Sequence, residues 1–334
     1  MGKKTVLLTG CAGFIGSNFV KRICTRKAVQ ESYNFVILDA LTYAGHYQNI
    51  QNEVEQFEHI TFVKGDIRNQ NLLNDLFSET EFQGIMHFAA ESHVDRSIES
   101  PNIFIETNVL GTLNLLNVAL KTYQSKGDFK FLHVSTDEVY GQLGLDDPAF
   151  HEETPIDPSS PYSSSKASSD LLVRSYTKTY GLPTIVTRCS NNYGAFQFPE
   201  KFIPVIALNA LSDKSLPVYG KGENIRDWIH VEDHVDGLWS AFENGKSGSV
   251  YNFGGNSEFK NIDVVKMILE ILEKPESLIS YVEDRLGHDF RYAIDFTKTA
   301  NELQWQPKRT FEEGLKETVE WYKNNTEWIN QVKG

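Results

Sequence analysis

The chain has 334 residues, of which 40% are hydrophobic, 23% charged and 12% aromatic. This composition is typical of a folded globular protein and excludes collagen-like, coiled-coil and wholly disordered chains, while the length predicts two domains or one domain with a large addition. The 32 basic and 45 acidic residues give a formal net charge of −13. Such a charge opposes a broad electrostatic hold on nucleic acid or on an anionic membrane, so we expect neither partner.

The three cysteines, Cys11, Cys24 and Cys189, are too few and too scattered for a disulfide framework or a zinc site. We therefore expect a reducing compartment, the cytoplasm, and no metal. The apolar run after Lys3 and Lys4 is shorter than a signal peptide requires, and no run approaches the roughly 18 apolar residues that cross a bilayer.

Short runs rich in β-branched and aromatic residues alternate with longer amphipathic stretches in the first part of the chain, which predicts βαβ units and a parallel sheet. Right-handed crossovers would lay the helices on both faces of one doubly wound sheet, so the predicted fold class is α/β of the Rossmann type. The predicted strands are 5–9, 34–39, 61–64, 84–88, 130–135 and 184–188, and the clearest predicted helices are 14–24, 102–123 and 163–180.

Beyond the sixth predicted strand the alternation weakens, because prolines interrupt the pattern. We expect residues 1–193 to form the first domain and residues 194–334 to form mainly a smaller lobe that binds substrate. The stretch 228–255 has the pattern of a helix (228–244) followed by a buried strand (250–253). This segment is therefore expected to return to the first domain.

The first predicted strand leads into a glycine-rich loop, Thr9-Gly10-Cys11-Ala12-Gly13-Phe14-Ile15-Gly16, which opens directly into a helix. Glycines spaced three apart, at Gly10, Gly13 and Gly16, are typical of a loop that holds a pyrophosphate. The first permits a tight turn, the second a close approach of the backbone, and the third close packing of helix on strand. An ordinary strand-to-helix turn is the alternative for this pattern taken alone.

Asp39 closes the second predicted strand about 20 residues after the last of these glycines, where a carboxylate accepts the two ribose hydroxyls of a dinucleotide. The same carboxylate repels a 2′-phosphate, so NAD is favoured over NADP. Asp66 follows the third strand and is expected to contact the adenine. The alternatives are a strand-end turn residue for Asp39 and a plain loop aspartate for Asp66.

Tyr162 is followed four positions later by Lys166, and a helix places such residues on one face. We expect the ammonium to lower the pKa of the phenol, so that Tyr162 takes the proton of a hydroxyl while the nicotinamide takes the hydride. A tyrosine followed four positions later by a lysine arises by chance in chains of this length, so the spacing alone is not evidence of a catalytic pair. Its position is informative, because Thr136, at the carboxyl end of a predicted core strand, can join Tyr162 on the reacting oxygen.

Asp137 and Glu138 form an adjacent carboxylate pair at the end of the same strand. Consecutive strand residues point to opposite faces, so only a turn directs both carboxylates into a site, and solvated surface charges are the alternative. In a closed site, desolvation and like-charge repulsion would raise one pKa and leave one acid and one base. Such a pair is equipped to eliminate water.

Five motifs stand along the chain: TGxxGFIGS at 9–17, AAESHVDRS at 89–97, STDEVYG at 135–141, the Tyr162 and Lys166 pair, and Arg226-Asp227-Trp228. Taken together, these motifs resemble the extended short-chain dehydrogenase/reductase family, and the resemblance spans the chain from Thr5 to about Trp321. Within that family the chain is similar to the dTDP-glucose 4,6-dehydratases, since 4-epimerases lack the carboxylate pair.

The resemblance implies a homodimeric lyase that converts dTDP-glucose to dTDP-4-keto-6-deoxyglucose on tightly held NAD, in deoxysugar biosynthesis of the dTDP-rhamnose type. The predicted helices 102–123 and 163–180 match those that form a dimeric four-helix interface in the family. Another nucleotide-sugar dehydratase or a 4-epimerase is the alternative, and a non-catalytic dinucleotide sensor is a remote one. The implied catalytic roles are Thr136 on the hexose 4-hydroxyl, Asp137 as proton donor, Glu138 as C5 base, Tyr162 as oxidising base and Lys166 as its support.

The family pattern also implies two sets of binding residues. The cofactor set is Gly10, Gly13, Phe14, Ile15, Gly16, Asp39, Thr42, Asp66, Ile67, Ala89, Ala90, Thr107, Tyr162, Lys166 and Asn192. The substrate set is Ser92, Thr136, Asn191, Lys201, Phe202, Pro217, Tyr219, Arg226, Asn261, Arg285 and His288. The alternatives are an ion pair with Asp227 for Arg226 and a helix cap for Asn261.

Two positions depart from the family pattern. Ala40 follows Asp39 where the family usually has lysine, which puts the affinity for the cofactor in question but not its identity. Cys11 replaces the commoner glycine of the phosphate loop. A side chain is tolerated there if the φ angle of Cys11 is negative.

Overall fold

The computed structural model describes residues 2–284 and 287–333, which form twelve strands arranged in three sheets. The strands are β1 (Lys4–Thr9), β2 (Tyr33–Asp39), β3 (Ile60–Lys64), β4 (Gly84–His87), β5 (Lys130–Thr136), β6 (Thr184–Cys189), β7 (Asn191–Tyr193), β8 (Leu216–Tyr219), β9 (Ile225–His230), β10 (Val250–Phe253), β11 (Glu258–Lys260) and β12 (Ile279–Val282). The main sheet has the order β10-β6-β5-β4-β1-β2-β3, and every neighbouring pair in it is parallel. The predicted α/β class with a doubly wound parallel sheet is therefore confirmed.

Helices fill the connections between these strands. They are α1 (Phe14–Phe19), α2 (Lys27–Ser32), α3 (Gln51–Gln56), α4 (Gln70–Glu79), α5 (Val94–Glu99), α6 (Pro101–Phe104), α7 (Thr112–Lys126), α8 (Pro161–Tyr180), α9 (Phe202–Leu211), α10 (Val231–Asn244), α11 (Asn261–Ile271), α12 (Thr297–Leu303), α13 (Phe311–Asn324) and α14 (Thr326–Lys333). Two π-helical segments extend α1 (Val20–Cys24) and join α6 to α7 (Ile105–Gly111).

Alternating residues of the central strands feed two apolar cores, one on each face of the main sheet. On β1, Val6 and Leu8 enter the core that contains Phe19 and residues of α10, whereas Leu7 enters the core that contains Leu115 and residues of α8. This is the expected consequence of the two-residue side-chain period of a strand that is covered on both faces.

The six predicted strands are all present, with ends within one residue of the prediction. The predicted helix 228–244 is wrong at its beginning. Residues 228–230 belong to β9, where Trp228 pairs with Asn191 of β7, and the helix begins only at Val231. The side chain of His230 accepts a hydrogen bond from the amide of Glu232 (3.3 Å) and so caps the helix at this point.

The later part of the chain adds two small sheets, ordered β11-β9-β7 and β12-β8, and a third apolar core. Helices α9, α11 and α13 pack into that core against Trp228. Strand β10, in contrast, pairs with β6 at the edge of the main sheet. The division of the chain at residue 193 stays a prediction.

One helical stretch, Pro101–Lys126, has the length and apolar composition to cross a membrane, with a mean hydropathy of 1.4 over its most apolar window. No such stretch was expected from the sequence. It combines α6, the second π-helical segment and α7, and 44% of that window is buried. Leu115, Leu116 and Ala119 pack under the main sheet, and the core helices of folded proteins pass the same test of length and composition.

Candidate active site

A cleft at the carboxyl ends of the central strands collects the predicted cofactor residues, as expected for a doubly wound sheet. All members of the predicted cofactor set line it, and so do all five predicted catalytic residues. Of the predicted substrate set, the structure places four residues in its lining: Ser92, Thr136, Asn191 and Lys201.

The glycine-rich loop has no room for side chains at two of its three glycines. Gly10 has a φ of +75°, and a Cβ there would lie 2.4 Å from Cα of Ala89. A Cβ on Gly16 would lie 2.5 Å from Cα of Cys11, which fixes the close packing of α1 on the loop. Cys11 is not among the residues with positive φ, so the condition set for its side chain is met. The bare backbone of this loop fits the approach of a pyrophosphate.

Asp39 ends β2 inside the cleft, and its carboxylate is held by backbone amides. The amide of Ala12 donates to Oδ2 and that of Leu41 to Oδ1, both at 2.8 Å. Leu41 has a φ of +52°, and its bond to Asp39 forms a turn at the end of β2. Asp39 is therefore also a strand-end turn residue, which was the alternative interpretation of this position. Burial raises the pKa of Asp39, and the two amides oppose that change.

Asp66 lies in the cleft lining together with Arg68, to which it is paired at 2.7 Å. Burial alone would raise the pKa of Asp66, but the hydrogen bonds and the charge of Arg68 hold it below its usual range. Asp66 is therefore a carboxylate at neutral pH. Its neighbour Ile67 also faces the cleft, so this loop offers both an anionic and an apolar contact.

A turn follows β5, as a site that contains both carboxylates of the Asp-Glu pair requires, and both carboxylates line the cleft. Strand β5 ends at Thr136, and a 3₁₀ turn, Asp137–Tyr140, begins at the next residue. Thr136 Oγ1 caps the turn by accepting from the amide of Glu138 (3.3 Å) and donates to Asp137 Oδ1 (3.2 Å). The turn breaks the strand alternation that would have separated the two carboxylates.

Asp137 is the more deeply buried carboxyl group of the pair, with 2% of its surface exposed. Its Oδ2 finds no hydrogen-bond partner among the described residues. Burial, followed by the charges of Glu138 and Asp227, raises the pKa of Asp137 well above its usual value. Asp137 is thus suited to carry a proton at neutral pH and to donate it inside the cleft.

Helix α8 begins at the cleft because its first turn is specified locally. Ser160 and Ser163 form a reciprocal capping box, and Pro161 occupies the first helical position. The amide of Tyr162 donates a further bond to the Ser97 hydroxyl oxygen (3.1 Å). These contacts fix the start of the helix, and with it the position of Tyr162 and Lys166 one turn apart.

The prediction that Lys166 lowers the pKa of Tyr162 is wrong in this structure. Burial, followed by the charge of Glu138, raises that pKa well above its usual value, and a hydrogen bond with Thr136 opposes the rise only in part. Lys166 does not offset the rise, because its Nζ donates to the carbonyl oxygen of Val134 at 2.8 Å. Burial lowers the pKa of Lys166 itself to about 8.

Six further residues of the predicted substrate set lie outside the cleft lining, in the later part of the chain, and the last one, Arg285, lies outside the described residues. These six residues are Phe202 at the start of α9, Pro217 and Tyr219 on β8, Arg226 on β9, Asn261 at the start of α11, and His288. His288 Nδ1 contacts Asp284 Oδ1 at 2.6 Å, and the ring of His288 packs edge-on against Tyr219.

Arg226 is 5% exposed and donates to backbone carbonyls of the facing segment, at 2.9 Å to Asp289 and 3.3 Å to Phe290. Its guanidinium also stacks on the ring of Tyr292 at 4.3 Å from the centroid. Asp227 instead accepts two backbone amides, those of Gly255 and Ser257. Arg226 therefore anchors the 289–292 segment, a role that was not anticipated from the sequence.

Asn261 does not have the geometry of the helix cap offered as its alternative. Helix α11 begins at Asn261, so this residue is inside the first turn, and Lys260 holds the capping position. Among the residues that the structure describes, no side chain forms a capping bond there. The amide of Asn261 donates instead to the carbonyl of Asn224 (2.9 Å).

Several residues of the cleft lining were missed in the sequence. Ser135, Cys189 and Ser190 lie at the ends of β5 and β6, so the strand-end rule that identified Thr136 could have found them. Tyr43 and Phe198 also line the cleft, and their ring centroids are 5.9 Å apart. That contact joins two loops distant in sequence, and no local pattern signals it.

The residues present fit NAD on the evidence of the cleft itself. The glycine loop leaves its backbone accessible, and Asp39 presents a carboxylate at the end of β2. The cleft also contains buried oxygens, Ser135 Oγ and Asn191 Oδ1, that have no hydrogen-bond partner among the described residues. Such groups require a polar ligand or water to satisfy them.

The parallel sheet, the glycine loop and the Tyr162 and Lys166 pair define a dinucleotide-binding enzyme fold of the short-chain dehydrogenase/reductase class. The family model described as GDP-mannose 4,6 dehydratase matches residues 7–318. The chain belongs to this family of nucleotide-sugar 4,6-dehydratases.

The similar relatives include sequences and solved structures of one enzyme from several bacteria. The chain is 49% identical to the dTDP-glucose 4,6-dehydratase of Salmonella typhimurium (strain LT2), over 98% of this chain and 95% of that protein. It is 50% identical to the Escherichia coli protein of the same name, over 98% and 96%. It superposes on the Bacillus anthracis dTDP-glucose 4,6-dehydratase in complex with NAD, with a TM-score of 0.89, 47% identity and coverage of 98% and 99%. The Streptomyces venezuelae enzyme DesIV, with NAD and TYD bound, gives a TM-score of 0.93, 42% identity and coverage of 98% and 99%.

Proposed function

We propose that this chain is an NAD-dependent dTDP-glucose 4,6-dehydratase that releases water from dTDP-glucose and forms dTDP-4-keto-6-deoxyglucose. The observation that carries the proposal is the turn Asp137–Tyr140, which brings a buried acid and a second carboxylate into the same cleft as Tyr162 and the glycine loop. Near 50% identity to proteins named as this dehydratase supports it. We place the reaction in cytoplasmic deoxysugar biosynthesis of the dTDP-rhamnose type.

Oxidation at C4 of the hexose comes first, because a C4 ketone is what makes the C5 proton acidic. NAD, when bound, accepts the hydride from C4 and returns it later to C6. Tyr162 takes the proton of the 4-hydroxyl, and Thr136 hydrogen-bonds the same oxygen. Lys166 supplies the positive charge that this step needs by turning from the carbonyl of Val134 toward the tyrosine.

The two adjacent carboxyl groups carry out the two proton transfers by which water is eliminated. Glu138 removes the C5 proton, and Asp137 gives its proton to the departing C6 hydroxyl, so that water leaves. The environment of Asp137 supports its role as the acid, since burial and the Glu138 charge favour its protonated form. Glu138 exchanges its proton with solvent and then protonates C5. Tyr162 releases to solvent the proton it took from the 4-hydroxyl, and Asp137 takes up a proton, which restores all three groups.

The nucleotide end of the substrate requires local positive charge despite the overall charge of −13. Lys201 lies in the cleft lining, where its Nζ donates to the carbonyl of Ser92 at 2.7 Å. Arg226 on β9 is the second cation, and it reaches the diphosphate by turning from the carbonyls of Asp289 and Phe290 that it contacts outside the cleft lining. We assign binding of the diphosphate to Lys201 and Arg226, and to Asn191 a hydrogen bond from its side-chain amide. Tyr219 and His288 are assigned to contacts with the nucleoside.

We further propose a homodimer formed by the helices Pro101–Lys126 and α8. Large apolar side chains are exposed on and beside these helices: Ile98 (41%), Ile105 (45%), Leu110 (50%) and Leu171 (53%). Pairing two copies would cover these side chains in a four-helix interface. The double variant L110K/L171K should elute as a folded monomer in size-exclusion chromatography with light scattering, whereas a wild-type monomer would reject the proposal.

The function is tested by incubating the purified protein, without added cofactor, with dTDP-glucose and following the products by NMR. We expect dTDP-4-keto-6-deoxyglucose. A panel of UDP-glucose, GDP-mannose and dTDP-glucose distinguishes the alternatives, because a galacto-configured product would indicate a 4-epimerase and preferred turnover of another nucleotide sugar a different dehydratase. A protein that binds NAD but converts none of the three would be a sensor.

A further inference from the structure

A fully buried ion pair lies one helical turn beyond Lys166, outside the catalytic cleft. Asp170 on α8 and Arg188 on β6 are 0% and 1% exposed. Asp170 Oδ2 accepts from Arg188 Nε at 2.8 Å. Removing two charges from water is expensive, so a protein keeps such a pair only where it is closely compensated or serves a purpose. Asp170 is not in the cleft lining, and nothing in the proposed reaction uses it.

The second oxygen of Asp170 faces a histidine of the neighbouring strand. His133 Nε2, on β5, is 3.5 Å from Asp170 Oδ1 and 3.2 Å from the hydroxyl of Ser169. Burial lowers the pKa of His133 to about 4, so this ring is neutral at pH 7. Burial alone would raise the pKa of Asp170, but Arg188 and His133 lower it to about 2. Asp170 is therefore the anion of this cluster.

Asp170 is the anion that the two nearby buried cations share. Lys166 and Arg188 are two buried cations, and the carboxylate of Asp170 interacts with both of them. Burial lowers the pKa of Lys166, and Asp170 is the first group that raises it again. The groups that interact electrostatically with Lys166 are Asp170 on α8, His133 on β5, Cys189 on β6 and His87 on β4. Tyr162, Asp137 and Glu138 line the same cleft as Lys166, and Arg188 pairs with Asp170.

We infer that Asp170 is a positioning residue for the reaction, whose buried carboxylate, shared with Arg188 and His133, keeps Lys166 a cation for its contacts with the cofactor and Tyr162. The inference rests on the proposed role of Lys166. A merely structural role for Asp170, as an anchor for Arg188, would affect stability but not the pH at which Lys166 loses its charge. The pH dependence of NAD binding separates the two roles.

The test measures the affinity of the NAD-stripped protein for NAD by titration calorimetry between about pH 6 and pH 10. In the wild type the affinity should fall as the pH rises through about 8, because the neutral amine binds the cofactor more weakly. In Asp170→Asn, which keeps the size of the side chain, the midpoint of this fall should move about 1–3 units lower. Measurements in an Asp137→Asn background remove the titration of that carboxyl.

A second variant predicts the opposite shift. Arg188→Gln removes the competing cation and leaves Asp170 to Lys166, so the midpoint should move to higher pH. The matched control is Asp75→Asn, at an exposed position of α4, which should keep the wild-type midpoint. Circular dichroism and thermal melting verify that each variant folds.

A folded Asp170→Asn variant with the wild-type midpoint would overturn the inference, and so would an Arg188→Gln variant that shifts downward. If neither variant folds, the wild type decides, since an affinity that does not fall between about pH 7 and pH 9.5 rejects a titrating Lys166. Turnover of dTDP-glucose is recorded separately. Its absence in the wild type would reject the proposed function while the NAD midpoints still test Asp170.

Discussion

Lys166 Nζ donates a 2.8 Å hydrogen bond to the carbonyl oxygen of Val134, two residues before Thr136 on β5. This bond directs the ammonium toward the strand and leaves the phenol of Tyr162 in a buried environment beside Glu138. The pKa of Tyr162 is consequently raised by burial and by that carboxylate. Helical spacing therefore places the two residues one turn apart without activating the tyrosine, and in the proposed reaction the lysine turns toward it.

Replacing Tyr162 by phenylalanine tests the oxidising base. We expect Tyr162→Phe to slow C4 oxidation by roughly 10²–10⁴-fold, because the proton of the 4-hydroxyl then has no acceptor, while dTDP binding stays close to that of the wild type. The absorbance of the reduced cofactor in a single turnover measures the rate of C4 oxidation, and calorimetry with dTDP measures the affinity for the nucleotide. Tyr180→Phe, at an exposed position of the same helix, is the control. Normal turnover in Tyr162→Phe would remove Tyr162 from the mechanism.

The carboxylate pair predicts two different defects. Asp137→Asn should slow water loss by roughly 10²–10⁴-fold and still permit some C4 oxidation, because it removes only the acid on the C6 hydroxyl. Glu138→Gln should instead lose exchange of the C5 proton with solvent. Rapid-quench mass spectrometry follows dehydration, and NMR in deuterated water follows the exchange. Equal loss of every partial reaction in both variants would show that the roles are not divided between the two residues.

Asp39 predicts a preference for NAD that can be reversed. The carboxylate should exclude the 2′-phosphate of NADP, so Asp39→Asn should lower the affinity for NAD and raise that for NADP. Titration calorimetry with both dinucleotides measures the change. The amides of Ala12 and Leu41 donate to different oxygens of Asp39, so asparagine can keep only one of these two bonds, and part of the fall in NAD affinity should come from the loop itself. A wild-type protein purified with NADP bound would contradict the assignment.

Local sequence patterns predicted the main sheet because its central strands, such as β1 and β2, carry apolar runs that are buried on both faces. The same patterns failed at Trp228, whose apolar neighbours fit a helix as well as a strand. The pairing of β9 with β7 and β11 is non-local, and it decides between the two. The π-helical segment inside Pro101–Lys126 was not predictable either, because the apolar periodicity continues through the distortion.

Some features of the candidate site could also be predicted from the sequence, and others could not. Residues next to a strand end, such as Thr136 and Asp39, could be predicted because the topology places all these ends at one edge of the sheet. The turn that directs Asp137 and Glu138 into the cleft was predicted as a requirement and is present. The direction in which Lys166 points was not predictable, because it depends on a backbone carbonyl of another strand.

A buried histidine predicts acid sensitivity of the fold. His234 Nδ1 contacts Asn192 Oδ1 at 2.8 Å, and its Nε2 is buried without a hydrogen-bond partner among the described residues. Burial lowers the pKa of His234 to about 3, below the value of about 6.5 in an unfolded chain. The unfolded state therefore binds the extra proton first. The stability that the neutral ring contributes is complete above about pH 6.5 and is lost as the pH falls, by up to about 1.4 kcal/mol per pH unit.

Urea unfolding at several pH values between about 4 and 7 measures this dependence. His234→Leu should reduce the slope of the free energy of unfolding against pH, and it should cost about 1–3 kcal/mol at pH 7 because Asn192 loses its donor. His151→Leu, at an exposed position, serves as the control. An unchanged slope in a folded His234→Leu variant would contradict the prediction.

The fate of the C4 hydrogen tests the proposed reaction as a whole. Asp137 and Glu138 can expel the C6 hydroxyl only after C4 has been oxidised, and the unsaturated intermediate then offers C6 as the electrophilic carbon. In the proposed reaction Asn191 and Arg226 hold the nucleotide throughout, since release at that point would leave the hydride without an acceptor. Deuterium placed at C4 of dTDP-glucose should therefore appear at C6 of the same product molecule, while C5 carries a solvent proton.

The measurement is NMR and mass spectrometry of the product formed from a mixture of doubly labelled and unlabelled substrate. Molecules that carry a ¹³C label in the sugar should keep the deuterium, and unlabelled molecules should gain none, because transfer within one closed site does not cross between substrates. Asp137→Asn is the informative variant, since it should accumulate the C4-oxidised sugar before deuterium reaches C6. Deuterium that is washed into an external cofactor pool would indicate a dehydrogenase, and deuterium returned to C4 of an epimerised sugar would indicate a 4-epimerase on the same fold.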